Sequence, residues 1–246
     1  MKLDDVKKLH QKKYRSQFGF YLVEGEHLIQ ELQRSPLMHQ AITVYVTDAW
    51  QARGIELDKR FEVITVSERQ MALLSDTKTP QGVIAKVPIP AATIDQPADS
   101  PVRSIYLHEV QDPGNLGTIL RSLAWFNGFR LLLSPNSVDP FNSKAVRASM
   151  GAIFHLPIEL DVSLAQLEAR YDRFAYLDLN GNSITDSAFA AYPCYLFGNE
   201  ARGVPIEALK NTNADAFTIN GSGNIESLNL ASAVGICAYQ LSLASL

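Results

Sequence analysis

Two polar side chains lie six residues apart in "DPGNLGTILRSLAWFNG" (112–128): the amide of Asn115 and the guanidinium of Arg121. A helix start calls for a cap and an apolar stripe, and neither requirement explains an Arg one turn beyond a glycine-rich entry. A carboxylate, Glu200, stands in a second glycine-containing stretch, "FGNEARGVP" (197–205). A third, "INGSGNIESLN" (219–229), ends on Ser227-Leu228-Asn229. An amide, a guanidinium, a carboxylate and a hydroxyl on glycine-rich loops can bind and orient an anionic or polar substrate. Such a set includes no covalent nucleophile, so it suits a reaction whose electrophile a cofactor brings.

Other chemistries lack their residues. Gly114 and Gly117 do not form GxGxxG, which disfavours a nucleotide-dependent dehydrogenase, and there is no GxxxxGK[ST]. "GSG" at 221–223 is not the GxSxG of a hydrolase elbow. His10, His27, His39, His108 and His155 show no metal spacing with one another or with cysteine, so no metal is expected. His108 reads as a hydrogen-bonded residue at a strand end. Cys194 and Cys237 lie in apolar runs outside any CxxC, which predicts two buried thiols and a cytoplasmic protein.

The elements that must hold these loops alternate between strand and helix. Period-2 or continuous apolar runs predict strands over 18–25, 41–47, 61–67 and 82–87, with helices over 26–33 and 68–74. Residues 88–101 carry prolines at 88, 90, 97 and 101 and no periodicity, the composition of a linker. Beyond it, strands are predicted over 102–110, 129–134, 154–160, 174–180, 194–198 and 216–220, with helices after the first of these and over 144–152, 164–171 and 227–243. This order implies a mostly parallel α/β sheet covered on both faces, with ligands beyond the carboxyl ends of its strands. The expected domains are 1–88, a linker at 89–101, and 102–246. The helix at 227–243 is apolar on nearly every side, which predicts burial by a second subunit and hence a homodimer.

The 246 residues are 46% hydrophobic and 20% charged, and no run is long and apolar enough for a membrane span. A net charge of −4 argues against nucleic acid as a partner, yet residues 1–15 hold six Lys or Arg against two Asp. Local charge governs phosphate binding, so Lys12, Lys13 and Arg15 are candidate phosphate contacts, the alternative being a solvated helix face.

The three blocks, with "SMGAIFHLPI" (149–158), resemble the SpoU/TrmH family of RNA ribose methyltransferases of the SPOUT superfamily, in order and spacing over 102–243. "YRSQFGFYLVEGEHLIQEL" (14–32) resembles the family's small N-terminal α/β substrate-binding domain. The resemblance implies a C-terminal trefoil knot, which periodicity does not reveal. It implies S-adenosylmethionine held largely by main chain at Gly198, Ile219 and Leu228. The implied reaction is methyl transfer to a ribose 2′-hydroxyl of structured RNA, rRNA ahead of tRNA. Arg121 would act as the central catalytic group, and Asn115 would orient Arg121 or the RNA. Glu200 would fix the Arg or its loop, with Ser227 and Asn229 completing the pocket. The plainer alternatives are helix caps for Asn115 and Ser227, a surface ion pair for Arg121 and a solvated turn for Glu200. Asn220-Gly221 stands where the family carries Pro-Met, and a loop without that proline is less preorganised, which predicts weaker cofactor binding. A non-catalytic RNA-binding protein on the same fold is the second reading.

Overall fold

The computed structural model describes residues 1–36, 41–90 and 102–244. Most of the expected linker, and Pro97 and Pro101 within it, lies outside these residues, as does His39.

The first part of the chain runs α1 (Leu3–Lys8), α2 (Lys12–Phe18), β1 (Phe20–Glu24), α3 (Glu26–Gln33), β2 (Thr43–Val46), α4 (Asp48–Gln51), β3 (Glu62–Thr65), α5 (Glu68–Leu74) and β4 (Val83–Pro88). The four strands form one sheet in the order β1-β4-β2-β3. β4 runs antiparallel to both its neighbours, and β2 and β3 are parallel. Local signals set the ends. Ser67 and Gln70 close a reciprocal capping box on α5, and Gly19 ends α2 in the left-handed region at φ 73°.

The second part runs β5 (Arg103–Leu107), α6 (Pro113–Phe126), β6 (Phe129–Leu133), α7 (Ser143–Ala148), β7 (Ile158–Glu159), α8 (Leu164–Arg170), β8 (Phe174–Ser183), β9 (Cys194–Phe197), α9 (Ile206–Leu209), β10 (Ala214–Thr218) and α10 (Leu230–Leu243). Its six strands pair in the order β10-β8-β9-β5-β6-β7, all parallel. The near-continuous burial of β5, β6 and β9 follows from helices on both faces, as their apolar runs predict. Tyr106, Leu132, Leu167, Phe174, Cys194 and Leu196 form the core on one face. The expected strand at 154–160 shrinks to Ile158–Glu159, because residues 152–154 wind into a 3-10 turn. The last helix starts at Leu230 rather than 227, because Asn229 caps it.

The chain divides into two compact units, Met1–Ala91 with Asp139–His155, and Ala92–Val138 with Leu156–Leu246. The block 102–246 is therefore not continuous in space: residues 139–155 leave it and pack with the first unit. The reason is specific. α7 lies against β1, and the Phe141 ring meets Tyr21 at 4.9 Å. Arg15, only 4% exposed, donates from Nε and Nη2 to Asp139 Oδ2 at 2.8 and 2.6 Å. Its Nη1 donates to the carbonyls of Leu9 and His10 just past α1, both at 2.8 Å.

That burial corrects one sequence expectation. Arg15 is a structural cation, buried within its own unit with all three guanidinium nitrogens hydrogen-bonded to acceptors of that unit. Its neighbours Lys12 and Lys13 are exposed. Breaking a buried ion pair by removing one partner costs about 3–5 kcal/mol. Arg15→Met should therefore lower the stability of the first unit by that order in urea unfolding followed by fluorescence of the buried Trp50. A loss below about 1 kcal/mol would contradict the assignment.

Candidate functional site

In the parallel sheet the chain proceeds from β5 outward to β6 and β7, then returns to the other side of β5 with β8 and β9. The strand order reverses at the β5–β9 pair, where open α/β sheets place their ligand crevice beyond the carboxyl ends. The loops after β5 (108–112) and after β9 (198–204) meet there. The segment 219–229 joins them: it leaves β10 at the sheet's edge and ends at α10, which packs on α6. It therefore crosses about three strand spacings, some 14 Å.

Glu200 fastens the first two loops. Its carboxylate accepts the main-chain N–H of Gln111 (3.1 Å) and Asp112 (3.2 Å) and the Asn115 amide (3.4 Å). Asn229 fastens the third, donating from Nδ2 to Asn115 Oδ1 at 2.9 Å while its own Oδ1 caps Ala231 and Ser232 of α10. Glu200, Asn115 and Asn229 thus form one hydrogen-bonded chain across three loops. The cap of α6 is Asp112, whose Oδ1 accepts the N–H of Asn115 at 2.7 Å, so the Asn115 side chain is left for the network. The cap of α10 is Asn229 and not Ser227, which is exposed with no side-chain partner among the described residues.

Arg121 stands apart from this chain. Six helical residues carry it about 9 Å along α6 and roughly 240° around from Asn115. It is exposed and has no hydrogen-bond or ion-pair partner among the described residues. Neither Asn115 nor Glu200 orients it within the unit: Asn115 is held by Glu200 and Asn229, and Glu200 holds a loop. Arg121 shares its side of the helix with Thr118 and Trp125, both exposed.

Gly198 has a requirement of its own. A Cβ there would fall inside the main chain of Gly203 and Val204, which fold back across it through the paired N–H and C=O groups of Asn199 and Gly203. The glycine is demanded first by the loop's own crossing, ahead of any ligand. A second close crossing lies nearby: at Gly181 a Cβ would meet the main chain of Ala216 and Phe217. There β8 bulges outward, its pairing with β10 jumping from Tyr176 to Asn182.

Ile219 is partly covered, whereas 220–229 are exposed throughout. At this end of the sheet large apolar side chains face outward: Leu179 is 70% exposed, Ile225 71% and Leu228 44%. A nucleoside site calls for apolar lining with a few main-chain polar groups, and both kinds of group are present here, so the residues fit the implied cofactor. Sequence reasoning missed three participants. Leu179 sits in a bulge that no periodicity announces. Asn199 donates to the Glu109 carbonyl at 2.6 Å, and Glu109 has φ 50°. Arg202 pairs with the Glu109 carboxylate. His108 Nδ1 is buried without a partner among the described residues, and burial lowers its pKa. Among the described residues no group of side chains could hold a metal ion, and no helix is long and apolar enough to cross a membrane.

Glu200→Ala should free the 111–112 main chain. Amide exchange at Gln111 and Asp112 is expected to quicken roughly tenfold or more, the scale of one charge-assisted hydrogen bond. Unchanged exchange at both positions would remove Glu200 from this role.

Comparison with known proteins gives a consistent set of relatives. The profile of the SpoU rRNA Methylase family matches residues 103–239, and that of the MRM3-like substrate binding domain matches residues 2–85. The 23S rRNA (guanosine(2553)-2′-O)-methyltransferase RlmP of Bacillus subtilis is 30% identical over 244 residues, covering 98% of this chain and 95% of the relative. A TrmH-family protein from Porphyromonas gingivalis superposes with a TM-score of 0.80 at 30% identity, over 97% of this chain and 96% of that one. An AdoMet-bound rRNA methyltransferase from Sinorhizobium meliloti gives 0.81 at 26% identity, over 99% and 95%. With the three motif loops assembled at one end of a parallel sheet and a family profile matched over more than half its length, the chain belongs to the SpoU/TrmH family of rRNA methylases.

Proposed function

We propose that this protein transfers a methyl group from S-adenosylmethionine to a ribose 2′-hydroxyl of large-subunit rRNA. The observation that carries the reading is the Glu200–Asn115–Asn229 chain, which gathers the three motif loops beside an exposed apolar and main-chain surface. RlmP, related over nearly the whole length, acts at a guanosine 2′-oxygen of 23S rRNA.

S-adenosylmethionine, when bound, supplies an activated methyl group on a positively charged sulfur. The main chain at Gly198, Ile219 and Leu228 would hold it, with Leu179 and Ile225 as apolar walls. The chain's task is the hydroxyl, a poor nucleophile while protonated. Arg121 remains a cation, because a guanidinium does not deprotonate in a protein. Its planar fork reaches the ribose oxygen and an adjacent phosphate, holds the oxygen in line, and stabilises the negative charge that grows as the proton leaves for a phosphate oxygen or water. Ser227, exposed just ahead of α10, adds a hydroxyl to the site, and Asn229 holds its edge through Asn115 and the cap of α10.

The protein acts as a homodimer through α6 and α10. α10 buries Ala231, Val234, Cys237, Ala238 and Leu241, while Ile236, Tyr239 and Leu243 remain exposed. Trp125 of α6, 83% exposed, directly precedes Phe126, whose ring meets Tyr239 at 5.8 Å. A large apolar patch of this kind is characteristic of a subunit interface.

Arg121→Lys retains charge and loses the fork, so methylation of an rRNA transcript should fall by at least ~10²-fold, the scale of one lost charge-stabilising donor, with cofactor affinity unchanged. Near-normal turnover would refute the role, and absence of a missing 2′-O-methyl group in rRNA from cells lacking the gene would refute the activity. Tyr239→Glu should convert the sedimenting species at micromolar concentration to a monomer. A wild-type monomer under the same conditions would refute the dimer.

A further inference from the structure

Glu200 is one of two carboxylates that tie the crossed loop after β9, and the other, Glu109, lies two residues past the end of β5. Glu109 is half-buried and sits in the left-handed region at φ 50°. A side chain makes that conformation costly, whereas glycine adopts it freely. All of its polar atoms are nonetheless engaged. Its N–H donates to Ser134 Oγ at 2.7 Å, and its carbonyl accepts the side-chain amides of Gln111 (2.9 Å) and Asn199 (2.6 Å). One carboxylate oxygen accepts the Asn136 amide at 3.4 Å, and the other pairs with Arg202. The loops after β5, β6 and β9 therefore meet on this one residue.

Main chain and side chain divide the work. The main-chain bonds need only the φ of position 109, whereas the link to Arg202 needs the carboxylate. Arg202 stands in the turn 199–203, whose paired Asn199 and Gly203 carry the chain across Gly198. Asn199 Oδ1 also accepts the N–H of Ala201 (2.9 Å) and Arg202 (3.0 Å), which stiffens the turn. A stiff turn is placed by its anchors rather than by its own shape. Glu200 anchors it to Gln111 and Asp112, and Arg202 anchors it to Glu109, on the other side of Val110. In the first link the acid is on the turn; in the second the acid is on the loop that receives it. The Arg202 side chain is 68% exposed, so the pair contributes little to global stability.

We propose that Glu109 is a positioning residue for the cofactor: through Arg202, its carboxylate sets where the main chain of Gly198 lies. The inference rests on the reading above, in which that main chain holds S-adenosylmethionine. With the anchor removed the turn samples more positions, and the cofactor must order it on binding, which lowers affinity. A side chain at a position whose backbone favours glycine is thus explained by what its carboxylate holds.

The test is calorimetric titration of S-adenosylmethionine into the full-length protein, beside thermal melting without cofactor. Arg202→Ala leaves the backbone at 109 untouched and should weaken binding about three- to tenfold, the scale of one net hydrogen bond. Glu109→Gly and Glu109→Ala should each weaken it by a similar factor. Glu109→Gly combined with Arg202→Ala should weaken it no further, because both changes remove the same link. Stability should separate the two Glu109 variants: glycine eases the left-handed backbone and alanine does not, so Glu109→Gly melts higher. With an rRNA transcript as substrate, the loss should appear in KM for the cofactor ahead of kcat, the reverse of Arg121→Lys. Wild-type affinity in Arg202→Ala or in Glu109→Gly, or additive losses in the double variant, overturns the assignment and leaves the methylation reading standing. Affinities that follow the melting temperatures of the two Glu109 variants overturn it equally. Wild-type protein that binds no S-adenosylmethionine at millimolar concentration overturns both.

Discussion

A single carboxylate ties together the motif loops at the carboxyl end of the parallel sheet. Glu200 sits in a loop that folds back on itself at Gly198, and from there it reaches two main-chain N–H groups and one amide of the loop after β5. That amide, Asn115, passes the connection to Asn229, which in turn starts α10. The loops have other ties, such as Asn199 to the Glu109 carbonyl and Arg202 to the Glu109 carboxylate, but the carboxylate alone joins the N–H groups of Gln111 and Asp112 to the Asn115 amide. A charged acceptor serving several donors is stronger than the same number of neutral pairs. The network orders main chain rather than aiming a reactive group, which accords with a reaction whose electrophile arrives from outside the protein.

The division of labour along α6 follows from helical geometry. Its first turn belongs to the loop network, whereas Arg121 and Trp125, about two and three turns on, are exposed on the side away from the core. Leu116, Ile119, Leu120 and Leu123 bury the opposite side. One helix therefore serves three purposes: a cap and tether at its start, a core stripe, and an outward face that carries a cation beside an aromatic surface. An exposed cation held close to an apolar patch is less hydrated than one on an open surface, which strengthens its attraction for an incoming anion.

Much of this was legible in the residues. Strand–helix alternation fixes the parallel sheet, and the motif spacings identify Asn115, Glu200 and Asn229, because polar residues in glycine-rich turns leave a recognisable composition. The caps were only half readable. "DPGN" announces a helix start, but Asp112 rather than Asn115 accepts the first free N–H, and Asn229 rather than Ser227 opens α10. Arg15 shows the limit most clearly. In sequence it belongs to a basic run, and its burial depends on Asp139, 124 residues away, which no local pattern encodes. The bulge at 177–181 and the departure of 139–155 from their own sheet are likewise set by long-range packing.

The placement of residues 139–155 bears on how the protein is made. The first unit lacks Asp139, the Phe141 ring and α7 until the ribosome has synthesised well over half the chain. Until then the Arg15 guanidinium is without its counter-charge and β1 is without its covering helix. The N-terminal unit cannot finish folding as it emerges, in the manner of an independent leading domain. Its completion is tied in time to the opening strands of the parallel sheet, so the two units mature together during translation.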